Sequence, residues 1–374
     1  MPIPPDSRKK SKPAPDGPAR FRSNLLGWYD RHARVLPWRS KGGERPNPYH
    51  VWLSEVMLQQ TTVQAVIPYF VKFVDKWPSI AALAAARDEE LMREWAGLGY
   101  YARARNLLKC ARAVVSDHNG CFPDRLEALK ALPGIGDYTA AAISSIAFNQ
   151  VATVIDGNVD RVVSRWFAIE TPLPDSKPEI RALAAGLFDW PGAERPGDFA
   201  QAMMDLGATI CTPKSPKCGV CPVSLNCRAK LAGLAEELPR RKAKAARPRR
   251  AGYIYWITRE NGDVLFETRL AKGLLGGMTG LPTSDWVAWE AGEKAFPAIS
   301  HISAMKAGQT EIPGGTLKIR HVFTHFELEL RGVMISVTGQ ELQTGAGQFW
   351  VPSHKIEDLG LPSVFKKFTR LMQK

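Results

Sequence analysis

The stretch Pro123 to Phe148, PDRLEALKALPGIGDYTAAAISSIAF, decides how the first half of the chain is read. Asp124 can cap a helix, with Glu127 at the capping-box position, and that helix is expected to stop at Leu132-Pro133. Gly134-Ile135-Gly136 lets the backbone reverse tightly, and Asp137 can open a second helix running through Ala147. Two helices joined by a glycine turn make a hairpin. Its backbone N–H groups at a helix N-terminus suit a phosphate and read no base. A plain αα-corner with no ligand fits the same residues, so other features must discriminate.

Around the hairpin the sequence is rich in Ala and Leu, with apolar residues three and four apart at Trp52, Val56, Val63, Ile67, Phe70 and Val74, which predicts helices. The chain has 374 residues, enough for two domains of ordinary size. Residues 1–20, rich in Pro, Lys and Ser, are expected to form a disordered basic tail. The run PRRKAKAARPRR within 237–250 is expected to link the domains, either as a solubilising spacer or as a phosphate contact. Beyond it, Gly252-YIYWIT, DVLFET and Val322-FTHFELELRGVMISV carry β-branched and aromatic residues with partial alternation. That half, 251–374, should be built on a sheet.

Fifty Lys and Arg against 37 Asp and Glu give a net charge of +13, which favours a polyanionic partner, nucleic acid ahead of an anionic membrane surface. No apolar run approaches the roughly 20 residues of a membrane span, and the first 20 residues lack a signal-peptide core. An intracellular protein, cytoplasmic or at the nucleoid if bacterial, is expected.

Four of the six cysteines, Cys211, Cys218, Cys221 and Cys227, fall in the spacing C-x6-C-x2-C-x5-C, with no His following. Such a set can hold a [4Fe-4S] cluster or a structural Zn²⁺. A single C-x2-C step, where a zinc ribbon has two, leans toward iron–sulfur. Lys214, Lys217 and Arg228 among the ligands could also present charge to DNA.

Breaking an N-glycosidic bond calls for an acid for the leaving base and a negative charge beside the sugar cation. Glu55, in VWLSEVMLQQ, is flanked by apolar residues of a helical pattern, where desolvation would keep a proton on it near neutral pH. Asp156 follows an apolar run and precedes Gly157-Asn158 and a helix marked by Val159, Val162, Val163 and Trp166. It therefore sits at a helix N-terminus, where the dipole favours the ionised form. The alternatives are a solvated or ion-paired Glu55 and an Asp156 that merely caps.

In order along the chain, LPWR (36–39), SEVMLQQT (54–61), GLGYYARARNL (97–107), LPGIG (132–136), DGNVDRV (156–162), QAMMDLGATIC (201–211) and the cysteine loop make residues 21–236 resemble the MutY-type adenine DNA glycosylases. The resemblance implies an α+β multidomain protein: an all-α helix-hairpin-helix glycosylase domain with a [4Fe-4S] cluster on the four cysteines, followed by a Nudix-like α/β domain. It implies a monofunctional, monomeric enzyme that removes adenine opposite 8-oxoguanine or guanine in double-stranded DNA, with no membrane partner. On that pattern Glu55 protonates adenine and Asp156 stabilises the sugar cation, with Tyr138 and Asn158 in support. Gln60 and Tyr100 match positions that enter the duplex, and Arg39 and Gln201 match positions around the extruded adenine. The related endonuclease III proteins carry a Schiff-base lysine where this chain has Tyr138, which argues against strand cleavage by lyase chemistry.

The second half resembles the Nudix-like domain of the same family more weakly, through Arg320-HVFTHFELEL. Where that family reads 8-oxoguanine with a Phe-Ser-His turn, this chain has Phe323-Thr324-His325, which keeps a hydroxyl. The glutamates of a Mg²⁺-holding Nudix box are missing after Gly273-LLGGMTGLP, so nucleotide hydrolysis is not expected. Two rival functions stay open: a bifunctional pyrimidine-lesion glycosylase, and a non-catalytic iron–sulfur DNA-binding protein.

Overall fold

Why the central helices form can be read from their ends. In the computed structural model, which describes residues 17–40, 44–190, 194–243, 246–270, 273–289, 317–337 and 344–373, Asn47 caps the helix that carries Glu55 by accepting from Tyr49 N at 2.9 Å, and Pro48 occupies its first turn. The helices are α1 (Gly17–His32), α2 (Pro48–Leu58), α3 (Val63–Lys76), α4 (Ile80–Ala84), α5 (Asp88–Trp95), α6 (Ala102–His118), α7 (Leu126–Ala131), α8 (Asp137–Phe148), α9 (Gly157–Phe167), α10 (Lys177–Phe188), α11 (Pro196–Thr209), α12 (Arg228–Leu231) and α13 (Ser363–Met372). The strands are β1 (Arg249–Arg259), β2 (Val264–Thr268), β3 (Thr279–Gly280), β4 (Val287–Ala288), β5 (Lys318–Val322), β6 (Glu327–Val337) and β7 (Gln348–Val351).

The predicted hairpin is α7 and α8. Gly134 has φ +76°, and a Cβ there would lie 2.7 Å from Asn106 Cβ, so both the turn and the close approach require glycine. The expected capping box does not form. Helix α7 starts one residue later than the box needs, with Arg125 at its N-cap, and Glu127 pairs with Lys130 at 3.4 Å instead. Helix α8 is buried from Thr139 to Ile146 on all sides, as a central helix must be, and packs on α2, α7 and α11. Its small residues allow that approach, and on α11 a Cβ at Gly197 would fall 2.6 Å from the Ser145 carbonyl.

The chain divides into two compact units, 1–86 with 105–243 and 87–104 with 244–374. The expected 21–236 domain is thus interrupted: α5 and the loop to Ala104 group with the C-terminal residues. Within that unit Gly360 lies against Ala96 and Arg93, and Tyr100 bonds Thr324. Residues 17–20, expected in the tail, are the first turn of α1, whereas 1–16 lie outside the described residues. The expected 237–250 linker is fastened at both ends. Leu238 is buried with its carbonyl accepting from Arg165 Nε at 2.8 Å, and Arg249 and Arg250 open β1.

The C-terminal unit is built on a mixed sheet in which β1 runs parallel to β6 along its full length. On its other side β1 pairs antiparallel with β2 and β4, while β5 pairs with β6, and β3 and β7 pair with β2. Helix α13 buries Val364, Phe365 and Phe368 against one face, over Gly280 and Gly332. Tyr255, Ile257, Leu265 and Ile335 form a smaller cluster, which explains why β1 alternates only partly.

Candidate active site

Helix α2 turns Glu55 inward, where it is 6% exposed, and α8 brings Tyr138 to it: the Tyr138 hydroxyl donates to Glu55 Oε2 at 2.6 Å. Burial pushes the Glu55 carboxyl up to about 7; Asp156 adds to the rise, and the Tyr138 bond and Arg39 oppose it. The Tyr138 phenol is itself held well above its ordinary value by burial and by Glu55, so it stays a donor. A carboxyl that exchanges its proton near neutrality can both give and take one.

Asp156 caps α9, accepting from the backbone of Asn158 and of Val159 at 2.8 Å and from Asn158 Nδ2 at 2.7 Å. It therefore fills the capping role and also acts electrostatically on Glu55. Asn158 is held in turn. Arg161 donates to its Oδ1 at 2.9 Å, to the Gly207 carbonyl at 2.7 Å and to the Cys211 carbonyl at 2.6 Å. Sequence reasoning missed Arg161, although DGNVDRV places it on the same face as Gly157 and Asn158.

Arg39 and Gln201 line one cavity of about 840 Å³ together with Tyr29, Trp38, Arg195 and Asp198. Glu55 is not on its wall, but Arg39, which is, acts on Glu55. Sequence reasoning also missed Asp205, whose carboxylate grips Arg39 with both oxygens at 2.7 Å. The signal was a lone acidic residue in the otherwise uncharged QAMMDLGATIC, one turn beyond Gln201.

Gln60 and Tyr100 are both exposed and both left-handed, with φ of +60° and +49°. Non-glycine residues seldom adopt that conformation, and such strain tends to gather at functional sites. Gly136 is exposed at the N-cap of α8, beside Gly134 in the hairpin turn. In the C-terminal unit, which also holds Tyr100, Phe323-Thr324-His325 forms the turn between β5 and β6, closed by Phe323 N donating to Phe326 O at 2.9 Å. Phe323 packs against Trp286, Phe326 and His321, while Thr324 and His325 are exposed. Thr324 Oγ1 shares a 2.9 Å hydrogen bond with Tyr100 Oη.

Cys211, Cys218, Cys221 and Cys227 line one cavity with Val162, Trp166, Leu206 and Arg165. Arg165 fixes the loop, donating to the carbonyls of Thr212 and Pro213 at 2.7 and 3.1 Å and to Cys211 Sγ at 3.3 Å. Burial pushes the Cys221 thiol up to about 12 and Cys227 upward, so binding a metal would have to displace their protons. Among the described residues no three His, Cys, Asp or Glu side chains converge to hold a single ion. Four thiols around one cavity are a donor set that suits either a structural Zn²⁺ or an iron–sulfur cluster. Among the described residues no helix is long and apolar enough to cross a membrane.

The family model described as HhH-GPD superfamily base excision DNA repair protein matches residues 53–188, and a NUDIX domain model matches 253–371. The adenine DNA glycosylase of Mus musculus is 50% identical over 216 residues, covering 56% of this chain and 41% of the mouse protein, so the chain matches under half of that relative's length. The adenine DNA glycosylase of Homo sapiens is 34% identical over 94% of this chain and 74% of the human protein. The solved structure of a thermostable thymine-DNA glycosylase superposes with a TM-score of 0.51 at 29% identity, covering 58% of this chain and 98% of its own. The glycine hairpin and the helices around it thus match the first model, the sheet that follows matches the second, and the chain belongs to the adenine DNA glycosylase family.

Proposed function

We propose that the protein hydrolyses the N-glycosidic bond of adenine opposite 8-oxoguanine, or guanine, in duplex DNA. The observation that carries this reading is a buried Glu55 bonded to Tyr138 and poised to exchange its proton near neutrality. Glu55 protonates the adenine ring and so makes it a better leaving group, then accepts a proton from the attacking water. Asp156, held by Asn158 and the start of α9, sets a negative charge beside the sugar cation. Arg39 and Gln201, which share the wall of one cavity, would contact the extruded base. Tyr138 supplies no amine, so no Schiff base forms at that position.

Cys211, Cys218, Cys221 and Cys227 would hold a [4Fe-4S] cluster, which would brace the loop and supply redox capacity. Gly134, Gly136, Gln60 and Tyr100 approach the DNA, and the turn Phe323-Thr324-His325 reads the base opposite adenine. Residues 21–236 carry the hydrolysis and 251–374 the lesion reading. Incubating the protein with a duplex holding one A opposite 8-oxoguanine, then treating with alkali, tests the activity: a strand break at the adenine is expected, and intact strands at every pH would sink the reading. Iron and sulfide assays test the cluster, and full activity with stoichiometric zinc and no iron would overturn it.

A further inference from the structure

Asp205 on α11 has a side chain with no solvent exposure, yet it is a carboxylate, and such a group stays ionised inside a protein only when it is paired and hydrogen-bonded. Both needs are met by two arginines from one loop. Arg39 Nη1 and Nη2 donate to its two oxygens at 2.7 Å, a forked pair, while Arg34 donates through Nε at 2.6 Å and through its backbone N at 3.0 Å. Arg39 Nη1 also reaches the Arg34 carbonyl at 3.2 Å. These contacts hold the Asp205 carboxyl below its ordinary range against its burial. The Arg34 side chain is 26% exposed and partly screened, whereas that of Arg39 is 10% exposed and is the cation that acts on Glu55.

We propose that Asp205 is a positioning residue: it clamps and neutralises Arg39, so that this cation does not strip the proton from the Glu55 carboxyl. The inference rests on the adenine-hydrolysis reading for its functional meaning. The groups acting on Glu55 are Tyr138 from α8, Asp156 from the N-cap of α9 and Arg39 from the loop before α2. Of these only Arg39 is a cation, and a nearby cation favours the ionised form. Taking the Asp205 charge away leaves that cation uncompensated in a desolvated setting, where its field on Glu55 grows.

The test follows the Glu55 proton twice in the full-length protein, by the carboxyl C=O stretch that disappears in E55Q and by the pH dependence of single-turnover excision. In D205N both midpoints should fall by about one unit, costing about tenfold in rate on the alkaline side and little on the acid side. In D205E, which keeps the charge, the infrared midpoint should match that of the unsubstituted protein. R39M should raise the midpoint, and R39M with D205N should match R39M alone, since Asp205 then has no cation to neutralise near Glu55. A D205N protein that folds but keeps its midpoint, losing rate equally at every pH, would reduce Asp205 to a structural support. If D205N does not fold, the R39M pair decides: an unmoved midpoint in R39M, or a difference between R39M and the double variant, overturns the proposal. Infrared shifts as expected with no adenine released at any pH would leave the clamp standing and sink the enzymatic reading instead.

Discussion

Tyr138 donates its hydroxyl to a Glu55 carboxyl buried between α2 and α8, at 2.6 Å, and this bond works against the burial that keeps Glu55 protonated. The two effects set the pH range of the acid. Because the Glu55 midpoint is raised to about 7, the excision rate should be high below that value and fall as pH rises through it. Removing the bond in Y138F takes away the larger of the two effects that oppose burial, the other being Arg39, and should move the fall to higher pH. E55Q keeps the shape but has no proton to give, so single-turnover excision should drop by about 10² to 10⁴ while duplex binding survives. A rate within tenfold of the unsubstituted protein would reassign the acid.

The same burial makes Glu55 a stability liability. Its folded midpoint lies above its unfolded one of 4.5, so the folded state prefers the protonated form, and stability is lost as pH rises from 4.5 through about 7. E55Q removes the ionisation and should stabilise the protein at pH 8, by at most about 3 kcal/mol, with little change at pH 4. Thermal unfolding of both proteins at the two pH values checks the sign. A variant less stable at pH 8 would mean that the ionised carboxylate is well solvated or paired.

Local patterns in the sequence singled out Glu55 and Asp156, whereas Tyr138 and Asn158 entered only through the family resemblance. Apolar neighbours put Glu55 on a buried helix, and the residues after Asp156 put that carboxylate at a helix N-terminus, with capping as the alternative reading. The hairpin followed from two glycines and a proline. What stayed hidden depends on packing between distant segments. Asp205 meets Arg39 across more than 160 positions, and nothing in either local pattern names the other. Likewise only the tertiary contacts group α5 with the residues from 244 onward. On α3 the expected apolar set of Val63, Ile67, Phe70 and Val74 is rotated, for the fully buried residues are Val66, Phe70 and Phe73. Its burial is decided by the neighbour it packs on.

Gly207 lets α11 touch α9. A Cβ there would fall 2.5 Å from Asn158 Cβ and 3.1 Å from the Asn158 carbonyl oxygen, and neither backbone nor a Cβ can yield. Gly207→Ala should therefore push Asn158 away from Asp156, costing about 1–3 kcal/mol in stability and at least tenfold in excision rate, with the pH midpoint little changed. Unfolding midpoints and single-turnover rates read the two losses separately. Unchanged kinetics in a destabilised protein would show that the position of Asn158 does not matter to the chemistry.

Thr324 and Tyr100 join the β5–β6 turn to the left-handed residue before α6, and their bond of 2.9 Å puts a hydroxyl pair at the exposed tip of the C-terminal unit. Phe323, packed on Trp286, His321 and Phe326, and the Phe323–Phe326 backbone bond fix that tip, so the hydroxyl is presented rather than free to turn. If the turn reads the base opposite adenine, one hydrogen-bonding contact of this kind gives about 1–3 kcal/mol of discrimination. Thr324→Val keeps the shape and removes the hydroxyl, so preference for 8-oxoguanine over guanine should fall by about one to two orders of magnitude. Thr324→Ser should retain it, and Phe323→Ala should lose it because the turn loses its packing. Ending the chain at Ala243 should spare excision and lose preference too, since Glu55, Tyr138, Asp156 and the four cysteines all precede that point. That truncation also strips α5 and Tyr100 of their partners in the C-terminal unit, so the single substitutions are the cleaner measurement. Rates on the two mispairs, compared in each variant, give the ratio directly. If Thr324→Val and Phe323→Ala both kept the full ratio, lesion reading would pass to the helical unit, with Gln60 the first residue to substitute.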